Sequence, residues 1–308
     1  MDYPRTPAEF DELFGKEDLC REYLIGRRWP DGFRCPRCKS DSAWLVREVL
    51  FECSGCGHQT SATSGTVFHR SHLPLSVWFR AAWWMTGQKS GVSALGLQRI
   101  LGLGSYRTAW MMLHKLRRAM VRPGRDKLAG RIEVDETYWG APESGRHGRR
   151  LGSKALIVIA AQEAGKGIGR IRMQTVKNAK ADSLHGFIVD SIEPGSAIHT
   201  DGWQGYAGLE KKGYKREVTE IAKTEGSASD LMPRVHRVAS LLKRWFIGTH
   251  QGSVSHEYIQ DYLNEFTFRF NRRTSRNRGM LFLRLIEQAA QICPAPYEML
   301  KNGSRRDG

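Results

Sequence analysis

Two Cys-x-x-Cys pairs, Cys35-Pro36-Arg37-Cys38 and Cys53-Ser54-Gly55-Cys56, enclose residues 39–52. Each pair makes a tight turn that aims two thiolates at one point, and the enclosed segment reads as a hairpin (Ala43 to Arg47, then Val49 to Glu52). Such a hairpin joins the turns into a tetrahedral four-sulfur site, the donor set of structural zinc. Gly55 and Gly57 suit the positive-φ positions of such knuckles. A zinc ribbon is therefore expected over residues 28–62, behind a helical segment over 1–27, with Zn²⁺ on Cys35, Cys38, Cys53 and Cys56. A redox role is the weaker alternative, because two pairs would be redundant for it. Arg34, Arg37 and Lys39 fit phosphate contacts, although a purely stabilising clip fits almost as well. His58 is expected to pack or face solvent, and Cys20 and Cys293 to be small buried hydrophobes.

The charge balance narrows the partner class. Lys and Arg number 48 against 32 Asp and Glu, for a net +16, which points to a polyanion. The basic residues concentrate from Lys115 to Arg125, at Arg146, Arg149 and Arg150, at Lys243 and Arg244, and from Arg269 to Arg278. The polar start Met1-Asp2-Tyr3-Pro4 has no apolar core of a signal peptide, and the longest apolar stretch, residues 155–161, is too short to cross a bilayer. Cysteines in metal-ligand spacing suit a reducing compartment. The cytoplasm, on the nucleoid, is the expected location.

A helical region follows the ribbon. Pro74 opens a helix running to Met85 whose aromatic stripe (Trp78, Phe79, Trp83, Trp84) reads as core. Next come a helix over 92–101, a turn Gly102-Leu103-Gly104-Ser105, and a helix from Tyr106 to Met120, with Ser93 and Ser105 as N-caps. Two short helices about a glycine turn read as a helix-turn-helix within residues 72–122, with Arg107, Lys115, Arg117 and Arg118 as its DNA contacts. An ordinary helical hairpin with a basic outer face is the alternative.

Behind Pro123-Gly124-Arg125 the pattern changes. Apolar runs at 130–136, 155–162, 168–176, 196–201 and 214–219 predict strands, with a helix over 180–192 and helices over 235–246, 257–270 and 281–291. Strands first and helices last suggest a mixed sheet flanked by helices over 127–275, followed by a C-terminal helix and a frayed tail over 276–308. The glycine- and arginine-rich loop 140–152 is expected to order on a phosphate backbone. Asp135 and Asp201 each stand at the polar exit of a strand, where carboxylates can converge on divalent cations. Glu133 and Glu136 flank Asp135 and are expected to face away from it.

Three segments carry a resemblance: Val134-Asp135-Glu136-Thr137-Tyr138-Trp139-Gly140, His199-Thr200-Asp201-Gly202-Trp203-Gln204-Gly205-Tyr206, and Leu263 to Arg273 (Leu-Asn-Glu-Phe-Thr-Phe-Arg-Phe-Asn-Arg-Arg). Over roughly residues 15–290 the chain resembles bacterial insertion-sequence transposases with an N-terminal zinc ribbon and a DDE-type catalytic domain. The resemblance implies a multidomain protein with an α/β RNase H-like catalytic domain. It implies binding of terminal inverted repeats and cleavage and strand transfer of double-stranded DNA, with Mg²⁺ or Mn²⁺ on Asp135 and Asp201 and a homo-oligomer assembled on DNA.

The family pattern places a Glu, or in some branches another polar residue, seven positions before a Lys on the following helix. Here the pair is His236 and Lys243. Three readings stay open: His236 is the third ligand, an acid such as Glu265 or Asp230 substitutes, or catalysis is impaired. Lys243 and Arg244, with Arg149, Arg150, Arg272 and Arg273, are the further expected DNA contacts. Two other functions fit less well. One is a DNA-binding regulator derived from a transposase, which would not need both aspartates. The other is an RNase H-like host nuclease, which would not need the ribbon and helix-turn-helix.

Overall fold

The computed structural model describes residues 3–47, 49–140, 154–219, 227–295 and 299–300. They form two compact units, one comprising residues 1–122 with 275–304 and the other residues 123–274. Arg149, Arg150, Arg146 and the expected loop and tail lie outside the described residues.

The first unit opens with α1 (Pro7–Phe14) and α2 (Glu17–Arg28). An antiparallel sheet follows, β1 (Ala43–Val46), β2 (Leu50–Cys53) and β3 (Gln59–Ser61), with Ala43 opposite Cys53. Helices α3 (Leu75–Gly87), α4 (Ala94–Leu101) and α5 (Tyr106–Ala119) complete the N-terminal part. The Ser93 hydroxyl accepts from Gly96 N and caps α4. Gly102 ends that helix in the left-handed conformation (φ 62°), where a side chain would be strained. Ser105 takes the N-cap position of α5 without a side-chain cap bond. Most of the α3 stripe is core as read, with Trp78, Phe79 and Trp83 buried, whereas Trp84 is only half-buried.

The second unit is built on five strands: β4 (Arg131–Trp139), β5 (Ala155–Ala164), β6 (Gly167–Val176), β7 (Ala197–Asp201) and β8 (Lys215–Thr219). Helix α6 (Ala181–Ser191) crosses between β6 and β7, and a short α7 (Ala228–Leu231) precedes α8 (Pro233–His250) and α9 (Ile259–Phe270). The sheet order is β6-β5-β4-β7-β8. The β4–β5 and β5–β6 pairs are antiparallel, and β4–β7 and β7–β8 are parallel. This is the mixed, helix-flanked sheet expected of an RNase H-like domain. Helix α10 (Arg278–Gln291) returns to pack on α3 and α2 of the first unit rather than standing as a separate C-terminal piece.

Strand β5 is apolar from Ala155 to Ala161 because both faces of that stretch are covered. Ile157, Ile159 and Ala161 face Val235, Leu242 and Phe246 of α8 and Leu263 of α9. Leu156, Val158 and Ala160 face Leu184, Phe187 and Ile188 of α6. On β4, Ile132 and Val134 join the α6 side, so alternation sends Glu133 and Asp135 together to the α8 side. The expectation that Glu133 faces away from Asp135 is corrected here: two residues apart on a strand means one face. Glu136 does lie opposite.

Two cysteine readings separate. Cys20 is buried, donates to Phe14 O, and is pushed up to about 12 by burial. Cys293 is exposed, contrary to expectation, because it lies beyond the end of α10.

Candidate active site and zinc site

The four cysteines converge as their spacing requires. Their sulfurs all lie within 4.8 Å of one another, with Cys35 Sγ 3.7 Å from Cys56 Sγ and Cys38 Sγ 3.5 Å from Cys53 Sγ. Four thiolates about 2.3 Å from one tetrahedral zinc stand about 3.8 Å apart, so the donor set and its spacing suit the ion. The Cys38 N–H points at Cys35 Sγ and brings that thiol down to about 6. The Ser40 N–H also pulls on Cys38, but hydrogen bonds shared with Cys56 and Cys53 outweigh it and leave Cys38 at about 12. Four facing sulfurs compete for protons; a dication removes the competition.

At the other end of the chain, β4 and β7 pair from Arg131 with Ala197 up to Glu133 with His199. Asp135 and Asp201 each lie two residues beyond that last rung, at one height on neighbouring parallel strands. From there β4 leads to β5 on one side and β7 to β8 on the other. A point where the strand order reverses is where open α/β sheets form their ligand crevice.

Helix α8 brings His236 to the same place. Its Nε2 lies 3.7 Å from Asp135 Oδ2, too far for a hydrogen bond. One cation with bonds of about 2.1 Å could reach both atoms. This nitrogen is buried and makes no hydrogen bond. Burial lowers the His236 pKa; Glu133 opposes that and Lys243 adds to it, so the ring is held neutral, with a lone pair for a metal. Among the described residues only the four cysteines form a group of three or more ligands this compact. Asp201 Oδ1 accepts from Trp203 N at 3.0 Å, which turns it into its own loop.

Two residues read as bystanders hold this arrangement. Glu133, 1% exposed, accepts from the N–H groups of Arg234 (2.7 Å) and Val235 (2.9 Å) and from Arg234 Nη1 (2.8 Å). Met232, at the N-cap of α8, supplies no side-chain cap, so a strand carboxylate satisfies the free amides of the helix start instead. That bond ties the turn carrying His236 to the strand carrying Asp135. Arg234 also reaches Glu163 (2.7 Å), which holds Arg131 (2.6 Å), and Arg131 holds Glu217 (2.7 Å). The signal for Glu133 was its spacing of two from Asp135.

Glu136, on the opposite face, accepts from the Tyr206 hydroxyl. Burial raises the Tyr206 pKa well above its ordinary value, and Glu136, Asp135 and Asp201 push the same way, so the phenol stays a proton donor to this acidic region. Gly205 makes the approach possible: a Cβ there would stand 2.5 Å from Ala179 O. The same carbonyl accepts from Trp203 Nε1.

Asp230 accepts from the Ser227 N–H and hydroxyl, and Glu265 is fully buried on α9, 3.6 Å from Arg269. Lys243 and Arg244 are exposed on α8, Lys243 two turns along from His236. Arg272 and Arg273 lie over the Phe268 and Phe270 rings at the end of α9.

On α5, Arg107 is exposed. Lys115 lies over the Trp78 ring, and Arg118 reaches Met299 Sδ. Arg117 is a correction: it is 1% exposed, beside His114. It follows Leu113 by four residues on the inner face of the helix, where a phosphate cannot reach it.

Comparison with known proteins matches both the zinc-ribbon segment and the five-stranded domain. The family model of the ISXO2-like transposase domain matches residues 127–271, and that of the transposase zinc-ribbon domain matches residues 15–59. An uncharacterized protein in transposable element ISH50 of Halobacterium salinarum is 26% identical over 299 residues, covering 91% of this chain and 98% of that protein. Among solved structures, the simian T-cell lymphotropic virus intasome in complex with PP2A regulatory subunit B56 gamma aligns at 14% identity. Its TM-score of 0.32, over 67% of this chain and 72% of that one, is too low to bear on fold or function. A zinc ribbon, helices and a mixed five-stranded sheet with two acids at its switch point, matched along both domains, make one assignment: the chain belongs to the insertion-sequence transposases that carry an N-terminal zinc ribbon and a DDE-type, RNase H-like catalytic domain.

Proposed function

We propose that this transposase cuts the ends of its element and joins them to target DNA using Mg²⁺ or Mn²⁺ held by Asp135, Asp201 and His236. The observation that carries this reading is the buried His236 Nε2, without a hydrogen bond, 3.7 Å from Asp135 Oδ2 on the face and height that Asp201 shares. Divalent cations bound there would acidify the attacking hydroxyl and neutralise the leaving oxygen. The chain's part is placement. Two carboxylates supply negative charge from one height of the sheet, and a neutral imidazole completes the donor set. Glu133 holds the helix start against the strand. Lys243 and Arg244, on the solvent side of α8, offer cations to the phosphates beside the scissile bond.

Recognition of the terminal repeats falls to the zinc ribbon and to the α4–α5 region through Arg107, Lys115 and Arg118, with Arg272 and Arg273 adding backbone contacts. Joining two ends requires that both be held at once, which favours a homo-oligomer on DNA. The nucleoid of the cytoplasm is where such an assembly would work. Asp135→Ala and Asp201→Ala should each abolish metal-dependent nicking of DNA carrying the element's ends while that DNA is still bound. Wild-type nicking by either variant overturns the ligand assignment.

A further inference from the structure

Pairing between β4 and β7 stops at the rung of Glu133 with His199, whereas β4 stays paired with β5 up to Trp139 and β7 with β8 up to Asp201. The two strands therefore part company just before their aspartates. Among the described residues no β4–β7 rung sets the width of the opening at Asp135 and Asp201. Two carboxylates that share divalent cations need that width held, because Mg²⁺ demands near-ideal octahedral geometry.

A path of hydrogen bonds spans the opening instead. Asp201 Oδ1 accepts from Trp203 N at 3.0 Å, and Trp203 O accepts from Tyr206 N at 3.2 Å. The Tyr206 hydroxyl donates to Glu136 Oε2, and Glu136 follows Asp135 directly in the chain. The path is anchored at both ends. Trp203 Nε1 donates to Ala179 O at 2.7 Å, and Trp203 O also accepts from Arg216 Nη2 at 3.3 Å. Tyr206 is fully buried, in the core cluster that holds Leu184, Phe187 and Leu209 on the α6 side of the sheet.

A phenol suits this position chemically. Glu136 stands beside a site that gains from negative charge, and a Lys or Arg partner would cancel that charge. The tyrosine hydroxyl fixes the carboxylate as a neutral donor and leaves the charge in place. Its location between the two acids has an independent sign: after burial and Glu136, both Asp135 and Asp201 raise the Tyr206 pKa.

We propose that Tyr206 is a positioning residue that sets the separation of Asp135 and Asp201, through Glu136 on one strand and through Trp203 on the other. The proposal rests on the metal-site reading and adds to it a residue that acts only through its neighbours. The test is Mn²⁺ binding to the full chain without DNA, followed by electron paramagnetic resonance of the free ion, beside a thermal melt of each metal-free variant. The variants are Tyr206→Phe, Trp203→Phe and, as a control, Asp135→Asn. Tyr206→Phe removes no charge, so electrostatics alone would leave Mn²⁺ affinity equal or higher, and a loss reports geometry. Trp203→Phe loosens the same path at its half-exposed end, where folding is least at risk. Wild type should bind Mn²⁺ at a site that Asp135→Asn loses, and both aromatic variants, while folded, should bind there several-fold more weakly. Wild-type affinity in either folded variant overturns the positioning role, as does a lowered melting temperature with unchanged affinity. If wild type and Asp135→Asn bind Mn²⁺ alike, the metal-site reading itself falls. If Asp135→Asn loses the ion and Tyr206→Phe keeps it, the role of Tyr206 alone falls.

Discussion

Asp135 and Asp201 stand at one height on neighbouring parallel strands, each two residues past the last paired rung of Glu133 with His199. In the proposed mechanism, that shared register would let residues far apart in sequence act on one reacting phosphate. In the proposed site the third position falls to His236, a neutral donor where a carboxylate would add charge. His236→Glu should raise Mg²⁺-dependent nicking, because Mg²⁺ prefers oxygen ligands. His236→Ala should lower it and raise the metal concentration needed. Nicking by His236→Ala at the wild-type rate and metal dependence would remove the imidazole from the ligand set.

Glu133 makes a separate prediction, because it is buried and acts through α8 rather than on the reaction. Glu133→Ala leaves Arg234 short of a partner and two helix-start amides unsatisfied. It should cost about 3 kcal/mol or more of unfolding free energy, the range for breaking one side of a buried ion pair. Chemical denaturation measures this, and a change below about 0.5 kcal/mol, the size of an ordinary surface substitution, refutes the tethering role.

The strands of the catalytic unit were legible because the central ones are buried on both faces and the runs end at Gly, Pro or acidic residues. Asp201 was legible because it ends such a run; Asp135 lies in the middle of β4, which runs on to Trp139, and the reading that placed it at a strand exit is corrected here. What sequence did not convey was direction. Glu133 is an acid beside an acid until the pleat is drawn, and only then does it share a face with Asp135 and meet the N-terminus of α8. Arg117 looks like one more base in a basic helix, and only the packing of α5 turns it inward. Helix α10 follows the catalytic unit in sequence, yet its apolar face, with Phe282 against Phe79 and Trp83, fits the first unit.

The zinc site predicts a localised loss of structure. The β1–β3 strands are three or four residues long, so ligation energy is most of their folding energy. Chelation should release one zinc per chain, melt this module and weaken end binding, while the five-stranded sheet keeps its unfolding transition. Freshly purified protein without zinc by metal analysis contradicts the four-sulfur site.

Arg107 and Arg117 lie on one helix, ten positions apart, and should respond in opposite ways. Arg107→Ala removes an exposed cation at the start of α5. It should weaken binding of the element's ends and lower the salt slope by about 1, with stability unchanged. Arg117→Ala removes a fully buried side chain from beside His114. It should lower the melting temperature and leave the salt slope of the folded protein unchanged. A thermal melt and an anisotropy salt series on each variant separate the two effects. A lowered salt slope for Arg117→Ala with an unchanged melting temperature would mean that this side chain reaches DNA after all.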